Sequence, residues 1–225
     1  MISGQTQDPD IFYEDNHLIA VRKPANILVQ GDASGDRSLM DIVKDFIKKR
    51  DNKPGNVFLG LIHRLDRPVE GVVIFGKTSK GASRLSEQIR EKKVKKTYKA
   101  AIEGKMDPEN GEIRSFIEKD DESRVSSSGT EGKEAYLKYR KIGSWTGGDI
   151  LEIDLGTGRF HQIRAQLSDK GHPIAGDIKY GSDISLKSGK IALSCMEMQF
   201  FAPITGEPVT VSLKRAEWED ELTYK

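Results

Sequence analysis

Residues 135–155, "AYLKYRKIGSWTGGDILEIDL", constrain the fold most. "AYLKYRKI" and "DILEIDL" each alternate apolar and polar side chains, the period of a strand with one covered face, and the Gly-rich "GSWTGG" between them suits a hairpin. Similar signals recur along the chain. "IFYEDNHLIAVRKPANILVQ" gives strands around an "EDN" turn, "VFLGLI" and "GVVIFGK" are short apolar runs, "KTYKAAIEG" is a strand, and "KIALSCMEMQFFAPITGEPVTVSL" gives two strands around "PITGE". The long middle segment beginning "MDPENGEIRSFIEKDDESRV" also reads as hairpins.

Three segments have helical spacing instead. "SLMDIVKDFIKKR" places Leu39, Ile42, Val43, Phe46 and Ile47 on one face. "SKGASRLSEQIREKK", with Ser79 as its cap, does the same with Ala82, Leu85 and Ile89 and turns its basic residues outward. "RFHQIRAQLSDKG" sets Phe160, Ile163 and Leu167 at i, i+3 and i+7, and Gly171 and Pro173 stop it. Strands outnumber helices and hairpins outnumber βαβ units, so the expected class is α+β, a mixed, mostly antiparallel β-sheet with flanking helices. No repeat or linker interrupts the 225 residues, and 1–225 read as a single domain.

Composition narrows the function classes. With 36% apolar and 32% charged residues, and no apolar run near the roughly 20 residues a spanning helix needs, the chain reads as soluble, non-membrane and cytoplasmic. "MISGQTQDPD" is neither a signal peptide nor a basic transit segment. A single cysteine, Cys195, excludes an intrachain disulfide and reads as a buried inert thiol. His17, His63, His161 and His172 lack metal-ligand spacing, so no metal is expected. Phosphate-loop, dinucleotide and GxSxG signatures are missing, and Glu70, Glu112 and Glu118 sit in segments that read as ordinary surface. Net charge is only +1, but between Arg84 and Lys99 seven basic residues face two acids. Such a stripe suits a phosphate backbone, although alone it is as readily a solvated helix face.

In "LIHRLDRPVEG", residues 61–71, Asp66 is flanked by Arg64 and Arg67. Arginine next to a carboxylate favours the charged form and lowers its pKa, as a nucleophile at neutral pH requires. Asp66 is therefore the candidate nucleophile. In "KKTYKA", strand alternation puts Tyr98 on the apolar face with Ala100 and Ile102.

Taken in order, "EDNHLIAVRKPANILVQ", "HRLD", "KKTYKA", "GRFHQIRAQLSDKGHPIAGDIKYG" and "IALSCMEMQFFAPITGEPV" resemble the RluA-like family of RNA pseudouridine synthases over almost the whole chain. The resemblance implies the pseudouridine synthase catalytic-domain fold and isomerisation of uridine in structured ribosomal or transfer RNA to pseudouridine. The N1–C1′ bond is exchanged for C5–C1′ without metal or organic cofactor. It makes Arg164 the ion-pair partner of Asp66 and leaves Arg64 and Arg67 for RNA. It sets Tyr98 against the target base as a candidate general base for the C5 proton. A base in a helix must be extruded, and Arg64 would fill the gap. Arg90, Lys92, Lys93, Lys95 and Lys96 become phosphate contacts, and Arg159 and His161 join the RNA-binding set.

The chain departs from the family pattern at three places. "HRLD" is commonly continued by Thr-Ser-Gly, here Pro68-Val69-Glu70-Gly71; "GRTHQIR" has become "GRFHQIR" with Phe160; and "KPAG" has become "KPAN" with Asn26. Starting directly at the catalytic motif, the chain is expected to lack an amino-terminal RNA-binding domain and to act as a monomer. Two other readings stay open: an RNA-binding protein on the same fold with weakened catalysis, and a nucleoside glycoside-type hydrolase.

Overall fold

The computed structural model describes residues 8–120 and 125–223. Residues 1–7 of the "MISGQTQDPD" segment, residues 121–124 and residues 224–225 lie outside the described residues.

Among the described residues, eleven strands form one sheet. In chain order they are β1 (Ile11–Glu14), β2 (Leu18–Lys23), β3 (Gly60–Leu61), β4 (Glu70–Gly76), β5 (Lys95–Ala101), β6 (Asn110–Asp120), β7 (Val125–Gly129), β8 (Lys133–Trp145), β9 (Gly148–Leu155), β10 (Leu193–Phe201) and β11 (Pro208–Ser212). The sheet runs β1-β2-β4-β10-β5-β9-β8-β6-β7, with β3 added on β4 and β11 on β10. Only β4 and β10 run parallel, pairing Ser194 with Glu70 and Cys195 with Gly71; the other pairings are antiparallel. The class is α+β, mixed and mostly antiparallel with flanking helices. Of "VFLGLI" only two residues enter the sheet.

Side-chain pattern explains which strands are central. β4, "EGVVIFG", is buried at every position, as befits a strand covered on both faces, whereas β8 alternates buried and exposed residues along much of its length. Trp145 pairs with Gly148, so β8 and β9 turn through Thr146 and Gly147.

α1 (Leu39–Arg50) begins with a reciprocal cap: the Ser38 hydroxyl accepts from the Asp41 N–H and the Asp41 carboxylate accepts from the Ser38 N–H. It buries Leu39, Val43 and Ile47 in the core. α2 (Ser79–Arg90) is capped by Thr78 rather than Ser79, because the Thr78 hydroxyl accepts from the Gly81 N–H at 3.1 Å and Ser79 is already helical. α3 (Gln162–Asp169) departs further from its expected stripe. Phe160 precedes the helix and is exposed, and the chain enters α3 through His161 in the left-handed region at φ 53°. Every residue from Gln162 to Leu167 is buried. The polar ones are tolerated because each is partnered: Gln162 by Thr157 and the Tyr136 carbonyl, Gln166 by Ser115 and the Ala135 carbonyl, and Arg164 by two carboxylates.

Candidate active site

The loop between β3 and β4 carries Asp66, and its backbone is fixed from below. Lys23, at the end of β2 and fully buried, donates to the carbonyls of Pro24, Arg67 and Val69 at 3.1, 3.0 and 2.6 Å, so three acceptors surround its ammonium. Burial pushes Lys23 down to about 7, against the pull of the Asp66 and Glu70 charges. The start of the loop is pinned by His63, whose Nε2 accepts from the Ile74 N–H at 3.1 Å; burial holds this imidazole neutral, well below its usual pKa. Asn26, at φ 67°, makes the left-handed turn that brings its N–H to the Arg67 carbonyl at 2.7 Å.

Asp66 faces Arg164 of α3. The Arg164 Nη1 donates to Asp66 Oδ2 at 3.2 Å, while its Nε and Nη2 donate to the two oxygens of Asp177 at 2.7 and 2.8 Å. The Tyr180 ring lies 4.7 Å from the guanidinium carbon. Arg164 is thus held by Asp177 on one edge and Tyr180 on one face, and offers its remaining edge to Asp66. Arg164 and Asp177 are buried, but 23% of the Asp66 side chain remains open to solvent.

The pKa shift runs opposite to the expected direction. Burial raises the Asp66 pKa above the usual carboxylate value, and the opposing pull of Arg164, Lys23 and Arg64 only limits the rise. Sharing explains it: Arg164 spends two of its three hydrogen bonds here on Asp177, so Asp66 receives only part of its stabilisation.

Tyr98 on β5 is buried opposite Cys195 of β10 and near enough to Asp66 to feel its charge. Burial first, then Cys195 and Asp66, push its hydroxyl well above the ordinary phenol range. Burial likewise pushes the Cys195 thiol up to about 11.

The expected RNA-binding residues separate into groups. Arg64 is exposed and makes no ion pair among the described residues. Arg67 is exposed but tied to Asp36 at 2.7 Å and to the Asn26 carbonyl. Arg90, Lys92, Lys93 and Lys95 are exposed, with Lys93 paired to Glu91 at 2.7 Å and Lys92 set 5.2 Å from the Tyr136 ring centroid. Lys96 leaves this stripe: it shares the Tyr98 side of β5, is partly buried, and burial lowers its pKa. Arg159 is exposed and donates to the Glu134 carbonyl. His161 stands at the wall of the site. Its Nδ1 lies 2.8 Å from the Tyr180 hydroxyl and its Nε2 3.6 Å from Asp66, and burial followed by the Arg164 charge lowers it to about 3.

Asp177, Tyr180 and Lys23 were not singled out as site residues, although "AGDIKYG" and "RKPAN" lie inside the motifs quoted above. Glu70 was read as ordinary surface and is buried. Its Oε1 accepts from Arg22 Nε and Nη2 at 2.9 and 2.5 Å, and its Oε2 accepts from the Glu217 N–H at 2.8 Å. These partners place its carboxylate in the support beneath the loop.

The mostly antiparallel sheet with flanking helices is the fold of the pseudouridine synthase catalytic domain. Two solved human structures share the fold. RNA Pseudouridylate Synthase Domain Containing 4 superposes with a TM-score of 0.76 at 21% identity, covering 93% of this chain and 89% of that one. RNA Pseudouridylate Synthase Domain Containing 1 gives 0.76 and 21%, with 100% and 92% covered. The family model for RNA pseudouridylate synthase matches residues 17–169, and the chain belongs to that family. Among its relatives, the RNA pseudouridine synthase YhcT of Bacillus subtilis is 30% identical over 88% of this chain and 66% of its own length. A ribosomal large subunit pseudouridine synthase C of Buchnera aphidicola is 33% identical over 90% and 66%. The chain spans about two thirds of the length of these curated relatives. Among the described residues, no group of His, Cys, Asp and Glu is placed to hold a metal ion, and no helix is long and apolar enough to cross a membrane.

Proposed function

We propose that the chain isomerises uridine in RNA to pseudouridine, with Asp66 as the reacting carboxylate. The observation that carries this reading is the partly open Asp66 fixed on Arg164, which Asp177 clamps in turn. Fixing a carboxylate before substrate arrives spares reorganisation at the reacting carbon. The reaction balances within the nucleotide: N1–C1′ breaks, C5–C1′ forms, C5 loses a proton and N1 carries one. Asp66 can serve by adding to C1′, by adding to the base, or by taking a sugar proton. Tyr98 packs against the base, and the unpaired Arg64 fills the gap left by the extruded nucleotide. The names of relatives favour large-subunit ribosomal RNA as substrate, and the exposed cations Arg90, Lys92 and Lys95 suit its phosphates.

The test is to map pseudouridines across total RNA from cells with and without the gene, and from cells carrying Asp66→Asn. One or more sites should vanish both without the gene and with Asp66→Asn. A site that depends on the gene but persists in the variant rules out Asp66 as the reacting group; a map identical in all three rules out the activity.

A further inference from the structure

Asp66 meets Arg164 through a single hydrogen bond at 3.2 Å, so the place of its carboxylate is set by the turn that carries it. The Val69 N–H closes that turn by donating to the Asp66 carbonyl at 3.0 Å, and the chain then runs directly into Glu70, the first residue of β4. Adjacent strand residues serve opposite sides of this junction. Lys23 holds the carbonyls of the turn, and Arg22, its neighbour on β2, holds the Glu70 carboxylate. On the Arg22 side the contacts close into a ring with a segment 147 residues away. Glu217, the first residue of a 3-10 turn (Glu217–Asp220), donates its N–H to Glu70 Oε2 at 2.8 Å and accepts from Arg22 Nη2 at 3.1 Å. Trp218 is buried and donates its indole N–H to Ser194 Oγ at 2.9 Å, and that hydroxyl lies 3.5 Å from Glu70 Oε2. Ser194 is also the β10 residue that pairs with Glu70. Lys99 ties Glu219 at 2.9 Å, and Lys190 ties Glu217 and Glu221 at 3.6 and 3.0 Å.

We infer that the 217–220 turn sets the position of Asp66, acting through Glu70, and that Glu217 and Trp218 are positioning residues for the reacting carboxylate. Without the Glu217 N–H, Glu70 Oε2 is left, among the described residues, with the Ser194 hydroxyl at 3.5 Å. An under-served buried carboxylate shifts or draws in water, and the catalytic turn that ends on it loosens with it. The effect on rate rests on the isomerase reading; the coupling itself rests on the contacts.

Glu217→Pro separates the coupling from the fold. Proline suits the first position of a helical turn, and Ala216 before it is already extended at φ −86° and ψ 145°. The change therefore removes the N–H on Glu70 and the carboxylate on Arg22 without forcing the backbone. Hydrogen exchange on the full chain reads the result. The Val69 and Asn26 amides, which close on the Asp66 and Arg67 carbonyls, should exchange about 10-fold faster or more, while the β8–β9 amides keep their protection. Asp220→Ala, which breaks the exposed Arg215–Asp220 pair of the same turn, should leave both sets unchanged. If Glu217→Pro yields no folded protein, Ser194→Ala, which cuts the link from Trp218 to Glu70, takes its place. Unchanged Val69 and Asn26 amides overturn the inference, and so does a loosening spread equally over β8–β9. At a site found in the RNA map, the single-turnover rate of the variant should fall by about 10- to 100-fold with RNA affinity unchanged. A loosened turn with the parental rate also overturns the inference. A parent chain that forms no pseudouridine removes the isomerase reading alone, and the exchange result then decides the coupling.

Discussion

Replacing Glu70 tests whether the altered loop is held by a charge or merely by packing. Its carboxylate is 2% exposed and meets donors on both oxygens: two Arg22 nitrogens on Oε1, and the Glu217 N–H on Oε2. Losing one member of a buried pair costs about 3–5 kcal/mol. Arg22 keeps 29% of its side chain in water and a second partner in Glu217 at 3.1 Å, so the cost for Glu70→Ala is expected at roughly 2–4 kcal/mol. Glu70→Gln is no neutral isostere, because its amide NH2 must face either Arg22 or the Glu217 N–H; about 1–3 kcal/mol is expected. Glu70→Ser, which restores the family hydroxyl, is too short to bond Arg22 as Glu70 does and should resemble the alanine variant. Urea unfolding at neutral pH measures all three, with the midpoint moving and the slope unchanged. If Glu70→Gln and Glu70→Ser both stay within about 0.5 kcal/mol of the parent, the charge does not hold the loop.

The remaining expectations concern the same architecture. Lys23 has a folded pKa of about 7 against 10.5 when unfolded. The unfolded chain therefore holds the extra proton between those values, so the desolvation penalty is full below pH 7 and is withdrawn as pH rises; relative to Lys23→Met, the parent should gain about 2 kcal/mol between pH 7 and 9, and a flat difference in urea titrations would refute this. Arg164→Lys replaces a planar fork by a point charge that cannot serve Asp66 and both Asp177 oxygens alike, so kcat should fall by about 100-fold or more with RNA affinity little changed. An equal loss in binding would contradict a role confined to Asp66. Gly71→Ala should give little soluble folded protein, because Gly71 sits at φ 142° and a Cβ there would run into the Cys195 backbone. A normal thermal melt would show that β4 and β10 can separate locally.

The parts of this architecture visible from sequence are those with a period or a spaced motif. The alternation in "AYLKYRKI" and "DILEIDL" survives as the β8–β9 hairpin, and the spacing of Leu39, Val43 and Ile47 survives as the buried face of α1. What was missed depends on contacts between distant strands. Arg22 sits opposite Val72 in the sheet, one diagonal step from Glu70, and nothing in "RPVEG" shows which residue of β2 lies beside it. A glutamate at the mouth of an apolar strand consequently reads as surface. Lys96 was misplaced for a different reason: "KKVKK" crosses from the end of a helix into a strand. Once the period becomes two, Lys95 faces solvent and Lys96 turns to the side of Tyr98. Asp177 lies in a Gly-rich turn, where an aspartate normally serves the local backbone, yet it clamps Arg164 from thirteen residues away.

These placements give the departures from the family pattern a common logic. Glu70 lies beneath the loop that carries Asp66, and Phe160 lies beyond His161 toward solvent; neither is a hydrogen-bond partner in the array of Asp66, Arg164 and Asp177. Lys23 still fixes the loop through backbone carbonyls, which the exchange of Thr and Ser for Val69 and Glu70 leaves in place. At these positions this chain has an ion pair between Glu70 and Arg22 in the support and the aromatic ring of Phe160 at the rim. Neither change removes a hydrogen bond of the array, whereas loop stability and the surface presented at the rim become properties of this chain, measurable separately from one another.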